Sequence, residues 1–278
     1  MGFISENLSL PDSTFTLLRD LIHEKTGAKY EQDRRDVLAD KLSPLVRERG
    51  LTSFLDYYYL LKYDEAADEE WQRVMDALSV QETYFWREID QIKALVDVVV
   101  PQHFAAYPDR PLRIWSAGCA TGEEPLTIAM VLKEAGWFSH KIEIYATDAS
   151  PSAIAKAKKG LYRERAFRNL SPILQTTYFR PEQGLWRVSP ELHARIQWGA
   201  VNLAAASDIK LLPPMSVIFC RNVFIYFSAW AIRQTLKSFF EITIAPGYLF
   251  VGASESLLKL TTDFELKDIA GAFVYVNR

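Results

Sequence analysis

The sequence has few of the residues on which secreted, metal-binding and membrane proteins depend. Only two of its 278 residues are cysteines, which excludes a secreted disulfide framework and leaves no Cys-x-x-Cys pair for a zinc site. The four histidines are scattered, so we expect no metal site. No apolar run approaches the roughly 18 residues of a membrane span, and the chain start has no signal-peptide pattern. These absences predict a protein of the reducing cytoplasm without membrane insertion.

Positive charge is not in excess either. The 32 Lys and Arg residues against 35 Asp and Glu residues give a formal net charge of −3, so we expect no nucleic-acid partner. Apolar residues, by contrast, make up 49% of the chain and aromatic residues 13%. A chain of this length and composition can bury a large core and has room for one large or two modest domains.

The first part of the chain has the periodicity of helices. From residue 11 to about residue 78 the apolar residues recur at three- and four-residue spacing, which predicts an N-terminal helical domain over residues 1–90. Gly27 and Gly50 follow two of the periodic runs, where glycine commonly ends a helix. The same periodicity continues over residues 91–110 and predicts a linking helix.

The pattern changes after residue 110. Short β-branched and aromatic runs alternate with helical segments such as Pro151–Lys159 and Ser228–Ile244, which is typical of an α/β fold. We therefore predict a doubly wound, mostly parallel sheet over residues 111–278. The stretch 161–195 interrupts this alternation and is too long for a plain loop, so it predicts a small inserted β subdomain.

The most informative string runs from Ile114 to Pro125 and has the pattern of a strand, a glycine-bearing turn and the start of a helix. Doubly wound sheets bind nucleotides at this place, and Gly118 would let the backbone approach such a ligand closely. The string is neither a GxGxxG fingerprint nor a Walker motif, because no lysine follows Gly122. A ligand with little phosphate is therefore favoured.

Acidic residues follow the first two predicted strands. Glu123 and Glu124 open the next helix, where they could accept hydrogen bonds from ribose hydroxyls or an amino group. The alternative for Glu124 is a capping box with Thr121. Asp148 ends the second strand, where it could hold ribose hydroxyls or cap the following helix. These carboxylates would repel phosphate and favour a nucleoside that carries positive charge.

Other polar residues also fall at strand ends. Arg221 and Asn222 interrupt an apolar run after the fourth strand, and Asn202 with Leu203 follows a further strand signal as a weaker candidate for an adenine contact. Arg87 stands among aromatic residues just before the linking helix. It either packs in a domain interface or reaches the cleft, where its planar guanidinium suits a carboxylate.

Four strings together resemble the chemotaxis receptor methyltransferases of the CheR type. They are residues 82–88, 115–125, 220–227 and 252–257, with Ala146-Thr147-Asp148 between them in matching order and spacing. The resemblance extends over nearly the whole chain. It implies an N-terminal all-helical domain, a methyltransferase-type α/β domain and a small inserted β subdomain.

The resemblance also implies a cofactor and a site. The cofactor would be S-adenosylmethionine and the product S-adenosylhomocysteine. By the family pattern the residues around the cofactor, besides Gly118, are Gln81, Thr83, Arg87, Glu123, Asp148, Asn202, Leu203, Arg221 and Asn222. Arg87 and Tyr226 would lie nearest the transferred methyl group and are the candidate catalytic residues.

The sequence departs from the family pattern in several places. Gln81 stands where Asn is common, Leu126 where Tyr is common, and Ala253 where His often occurs. The family's second helix is usually basic and faces an acidic receptor helix, whereas the corresponding residues 31–49 carry balanced charge here. The balanced charge weakens the expectation that a receptor docks through this helix.

The implied reaction is methyl transfer to glutamate side chains in the cytoplasmic helices of chemotaxis receptors. A glutamate with a pKa of about 4.3 is ionised at neutral pH, so no general base is needed and positioning is the expected source of catalysis. The β subdomain would either hold a receptor C-terminal tail or rest on the receptor bundle, and we expect a monomer. The alternatives are a methyltransferase of the same fold with another protein or a small molecule as substrate, and a non-catalytic, cofactor-binding signalling module.

Overall fold

The structure is a computed structural model that describes residues 8–65 and 67–277. The start of the chain, on which the signal-peptide expectation rests, lies outside the described residues. Within the described ranges no helix combines the length and the apolar character needed to cross a membrane. In the same ranges no group of histidine, cysteine and acidic side chains is placed to hold a metal ion.

The N-terminal part is built from helices whose apolar faces form one core. The helices are α1 (Asp12–Thr26), α2 (Arg35–Glu48), α3 (Phe54–Tyr63) and α4 (Ala67–Leu78). α1 buries Phe15, Leu18 and Ile22 completely, at the spacing of one helix face. It ends at Gly27, which has a left-handed φ of 72° and donates its N–H to the carbonyl of His23. The predicted helices and this terminating glycine are confirmed.

The helical segment that follows packs into the second part of the protein. It consists of α5 (Ile89–Ala94), a π-helical turn (Leu95–Val99) and α6 (Val100–Ala106). Its buried residues, among them Ile92 and Val96, share a core cluster with Ile114 of the central sheet. The segment is therefore a layer over the sheet rather than a free connection.

Two sheets follow in the chain. The strands are β1 (Leu112–Ala117), β2 (Ile142–Asp148), β3 (Leu161–Tyr162), β4 (Phe179–Glu182), β5 (Leu185–Val188), β6 (Ile196–Ala200), β7 (Met215–Cys220), β8 (Thr243–Val251), β9 (Glu265–Ile269) and β10 (Ala272–Asn277). The large sheet has seven strands in the order β6-β2-β1-β7-β8-β10-β9. β6, β2, β1, β7 and β8 are parallel, and β10 is antiparallel to both of its neighbours. The predicted mostly parallel sheet is confirmed.

Helices cover both faces of the large sheet. The remaining helices are α7 (Glu123–Glu134), α8 (Pro151–Lys159), α9 (Pro172–Tyr178), α10 (Pro190–His193), α11 (Ala206–Ile209) and α12 (Ala229–Ile242), of which α9 contacts β4 of the small sheet. Adjacent residues of β1 belong to different core clusters, because Ile114 packs with α5 and α7 whereas Trp115 packs with α12. This arrangement is the doubly wound one. α12 ends short of the predicted Ile244 because β8 begins at Thr243.

The predicted inserted subdomain is present as a three-stranded antiparallel sheet in the order β3-β5-β4. Phe85, which lies just before α5, is completely buried against it. Its ring centroid is 4.9 Å from that of Tyr162, 5.1 Å from that of Phe167 and 4.9 Å from that of Phe179. Phe85 therefore anchors the insertion, and its neighbours Tyr84 and Arg87 can face the cleft.

Two serines act as N-caps of the helices that follow them. The side chains of Ser150 and Ser228 accept hydrogen bonds from the N–H groups of Ala153 and Ala231, as N-caps do. The capping box predicted between Thr121 and Glu124 is wrong. α7 begins after Gly122, and Thr121 Oγ1 instead donates to Glu123 Oε2 at 2.7 Å.

Candidate functional site

A cavity lies between the helical domain and the carboxyl ends of β1, β2 and β7. It holds about 1500 Å³ of empty volume, counting the part that is open to solvent. α2 and the segment before it line one side, and the turns after the three strands line the other. Doubly wound sheets bind their ligands at this edge.

Most of the residues predicted from the sequence line this cavity. They are Thr83, Arg87, Gly118, Asp148, Asn202, Leu203, Arg221, Asn222 and Tyr226. Gln81 and Glu123 are not among the lining residues. Gln81 Oε1 instead accepts a hydrogen bond from Lys156 Nζ of α8 at 2.9 Å. A tertiary contact with another helix therefore turns Gln81 away from the cavity.

Gly118 is required by the turn after β1. Its φ is 80°, a left-handed conformation that other residues adopt rarely, and a Cβ at this position would lie 2.6 Å from Val223 Cγ2. The N–H groups of Gly118 and Cys119 both donate to the carbonyl of Thr147, at 2.8 and 2.9 Å. These bonds hold the turn after β1 against the end of β2, so the two turns form one surface of the cavity.

Asp148 is held by backbone groups on both of its oxygens. Oδ2 accepts from the N–H of Ala120 and Oδ1 from that of Ser150, each at 2.9 Å. Burial raises the pKa of this carboxyl above its ordinary value. Ser150 Oγ in turn donates to Asp76 Oδ1 of α4 at 2.5 Å, and Asp76 also accepts from the N–H of Ser152 at 2.9 Å. A side chain of the helical domain thereby fixes the turn that carries Asp148.

The two glutamates at the start of α7 have different environments from those that the sequence suggested. Glu124 lines the cavity, and its carboxylate accepts from Ser116 Oγ at 2.7 Å and from Arg221 Nε at 2.6 Å. Glu123 is only 5% exposed and lies behind the cavity wall. Burial raises the pKa of Glu123 to about 7.

Arg221 joins three elements around the cavity. Its side chain is 3% exposed and its Nε pairs with Glu124. Nη1 donates to the carbonyl of Glu88 at 3.0 Å and to Gln91 Oε1 at 3.3 Å, and Nη2 donates to the carbonyl of Arg87 at 2.9 Å. The guanidinium therefore fixes the backbone of Arg87, and most of its donors are used within the protein.

Arg87 and Tyr226 stand on the cavity wall with their functional groups accessible. Arg87 Nη1 donates to the carbonyl of Glu82 at 3.0 Å, and its Nε is 3.9 Å from Glu88 Oε1. Tyr226 belongs to a 3-10 turn and is 39% exposed. Its carbonyl accepts the N–H of Lys29 at 2.8 Å. The helical domain thus contacts the turn that presents Tyr226.

Basic residues from the helical domain complete the lining, although the sequence pattern alone did not mark them as site residues. Arg34 and Lys41 line the cavity on either side of Val37, together with Lys29. The spacing of three and four residues puts Arg34, Val37 and Lys41 on one face. The acidic residues of the same segment, Asp33, Asp36 and Asp40, are exposed and do not line the cavity. A segment of balanced net charge therefore presents a basic face to the cavity. The sequence signal for this face is Val37, an apolar residue that lies between charged residues three positions after Arg34 and four positions before Lys41.

The two cysteines are buried residues with raised thiol pKa values. Cys119 is 2% exposed and Cys220 is fully buried. Burial raises the pKa of both thiols well above the ordinary value, so thiolates do not form near neutral pH.

Comparison with known protein families agrees with this geometry. Residues 13–79 match the family described as "CheR methyltransferase, all-alpha domain", and residues 81–272 match "CheR methyltransferase, SAM binding domain". The chain belongs to the CheR methyltransferase family. It is an S-adenosylmethionine-dependent methyltransferase, as the resemblance implied.

Individual relatives cover nearly the whole chain. The chemotaxis protein methyltransferase of Klebsiella aerogenes is 34% identical over 269 residues, which are 95% of this chain and 90% of that protein. Chemotaxis protein methyltransferase 2 of Vibrio cholerae is 33% identical over 262 residues, which are 93% and 90% of the two chains. The corresponding protein of Escherichia coli K12 is 32% identical over 269 residues, which are 95% and 91%.

The residues of the cavity suit S-adenosylmethionine chemically. The carboxylates of Asp148 and Glu124 can accept hydrogen bonds from hydroxyl and ammonium groups, and they suit a ligand with positive charge. Leu203 is 6% exposed and offers an apolar surface for a base. Arg87 can pair with the carboxylate of an amino acid. The absence of a phosphate-binding lysine in the turn after β1 agrees with a nucleoside ligand.

Proposed function

We propose that this CheR methyltransferase transfers a methyl group from S-adenosylmethionine to glutamate side chains in the cytoplasmic helices of chemotaxis receptors. The observation that carries the proposal is the separation of charge within one cavity. Asp148 and the Glu124–Arg221 pair line the side formed by the strand ends, where the carboxylates favour a sulfonium cofactor, and Lys29, Arg34 and Lys41 line the side formed by the helical domain, where an acidic substrate is favoured.

The chemistry requires little beyond placement. When bound, S-adenosylmethionine supplies a methyl group activated by its sulfonium sulfur. A glutamate is already ionised at neutral pH. The basic residues of the helical domain favour its ionised form and attract it into the cavity. In our proposal Arg87 orients a carboxylate of the substrate or of the cofactor, and the Tyr226 hydroxyl fixes the attacking group. In-line placement in a partly closed cavity is then the source of the rate enhancement.

The proposed cofactor contacts are assigned from the lining. Thr83, Arg87, Asp148, Asn202, Leu203 and Asn222, with the close approach at Gly118, form the binding set, to which we add Glu124. Arg221 acts by holding Glu124 and the backbone of Arg87. We leave out Gln81 and Glu123, because one faces Lys156 and the other is buried behind the wall.

We make three finer proposals about partners and location. The protein acts in the cytoplasm. It is a monomer, and light scattering of the purified chain can test this oligomeric state. β4 is an edge strand of the small sheet, and an open edge can accept an extended peptide by strand addition. A receptor C-terminal tail would add there, and fluorescence anisotropy of a labelled tail peptide, with and without the receptor bundle, tests this.

The reaction is tested with methyl-labelled S-adenosylmethionine and a receptor cytoplasmic fragment. Glutamate methyl esters release volatile methanol in mild alkali, whereas N-methyl groups do not. We expect volatile label above a no-enzyme control, and an Arg34→Gln, Lys41→Gln double variant should raise KM for the fragment without weakening cofactor binding. Stable label on the fragment would contradict carboxyl methylation. Cofactor binding without transfer to any fragment would favour another substrate or a non-catalytic module.

A further inference from the structure

A carboxylate next to the cavity holds the loop that carries Asn222 and Tyr226. Glu255 lies in the turn after β8 and is not one of the lining residues. Its Oε2 accepts the N–H of Asn222 at 2.8 Å and that of Gly252 at 2.6 Å. Its Oε1 accepts the N–H of Ile225 at 3.2 Å. Backbone donors from two segments therefore converge on this one anion.

The loop has a conformation that needs such support. Asn222 has a φ of 60°, in the left-handed region that residues other than glycine seldom adopt. Hydrogen bonds to a carboxylate are stronger than those between neutral groups and can stabilise a backbone of this kind. Gly252 permits the close approach, since a Cβ there would lie 2.6 Å from Asn222 Nδ2 and 2.8 Å from Glu255 Oε2.

The turn that carries Glu255 is itself anchored. The N–H of Ala253 donates to Glu88 Oε2 at 3.2 Å, next to the residues that Arg221 binds. On the far side of the loop, Lys29 N–H holds the carbonyl of Tyr226. The segment from Asn222 to Tyr226 is thus fixed at its start and middle by Glu255 and at its end by the helical domain.

We propose that Glu255 is a positioning residue for methyl transfer. Its carboxylate fixes the 222–226 backbone so that the Tyr226 hydroxyl is held where the substrate carboxylate attacks. The inference rests on the proposed function for the part that concerns Tyr226, and on the hydrogen bonds alone for the part that concerns the loop. The two parts can be tested separately.

The loop is tested without any substrate, by hydrogen–deuterium exchange of the peptide that covers residues 220–228. Glu255→Gln keeps the shape of the side chain but replaces one acceptor oxygen by an N–H₂ group, which cannot accept a bond from a backbone N–H. We expect exchange in this peptide to become about tenfold faster. Glu241→Gln, at an exposed glutamate whose carboxylate is 3.5 Å from Lys210 Nζ, is the matched control and should leave this peptide unchanged. Unchanged exchange in Glu255→Gln would overturn the proposal.

The catalytic part is tested by a double-mutant cycle with Tyr226→Phe. Glu255→Gln should lower kcat for receptor methylation by about tenfold. In the Tyr226→Phe background the same substitution should lower kcat by less than about twofold, because both changes remove one effect. Equal losses in both backgrounds would overturn the positioning role. If Glu255→Gln does not fold, Glu255→Asp replaces it in both experiments. If the wild-type protein methylates no receptor, the proposed function fails, whereas the exchange experiment still decides the role of Glu255 in the loop.

Discussion

Replacing Arg221 by methionine should destabilise the protein far more than a typical surface change. Methionine keeps an apolar stem but removes the donors to Glu124, to Gln91 and to the carbonyls of Arg87 and Glu88. The Glu124 side chain is 13% exposed and would lose its counter-charge. Breaking a buried ion pair from one side costs about 3–5 kcal/mol. We expect the lower end of this range, because Ser116 Oγ still donates to Glu124.

The loss can be traced to the charge of Glu124 by a rescue variant. Adding Glu124→Gln to Arg221→Met removes the uncompensated carboxylate and should restore about 1–3 kcal/mol of the free energy of unfolding. Urea unfolding followed by circular dichroism measures Arg221→Met, Glu124→Gln and the double variant, with the exposed Arg233→Met as the control. If the double variant is as unstable as the sum of the two single variants, the pair does not act as a unit and the reasoning is refuted.

Three further predictions concern single positions. Asp76→Ala removes the acceptor for Ser150 Oγ and Ser152 N–H and should lower the free energy of unfolding by about 1–2 kcal/mol. It should also weaken S-adenosylmethionine binding in calorimetry, and unchanged affinity would contradict the link to Asp148. Tyr226→Phe should lower kcat by about tenfold while the Kd for the cofactor stays within about twofold, and equal turnover would remove the proposed role of the hydroxyl. Since burial raises the pKa of Glu123 from 4.5 to about 7, the folded protein binds this proton more tightly than the unfolded chain. Stability should therefore fall as the pH rises from about 4.5 to about 7. In Glu123→Gln the decrease of Tm over this pH range should be smaller. The same decrease of Tm in both proteins would contradict this prediction.

The architecture could be predicted because it follows from local patterns. The three- and four-residue spacing of Phe15, Leu18 and Ile22 specifies a helix face without reference to the rest of the fold. The alternation of strands and helices after residue 110 specifies a parallel sheet, and the carboxyl ends of parallel strands meet at one edge. For this reason Asp148 and Asn222 could be placed together from sequence alone.

The orientation of individual side chains could not be predicted in the same way. One residue along a helix corresponds to a rotation of about 100°, so the position at which α7 begins decides whether Glu123 or Glu124 faces the cavity. That position depends on the left-handed Gly122 and on the failure of Thr121 to cap the helix. Gln81 is directed by Lys156, a contact between residues far apart in the chain.

Net charge was a poor guide to the second helix for a related reason. The sum over residues 31–49 is blind to direction, whereas the cavity receives only the side chains on one face. Arg34 and Lys41 fall on that face, and the acidic residues fall beside it. A balanced net charge therefore does not by itself weaken the expectation that a receptor docks through this helix, and this docking stays a prediction.

The burial of the α5–α6 segment bears on how this chain can be divided, both in the laboratory and in evolution. A fragment that begins at the first strand would expose the sheet face that Ile92, Val96 and Val100 cover, so we expect it to aggregate when expressed alone. The natural junction for exchanging the helical domain lies instead between α4 and Phe85. A gene fusion that respects this junction would carry the complete sheet with its covering layer, and the new domain would have to replace the contacts of Asp76 and Lys29 with the turns of the cavity.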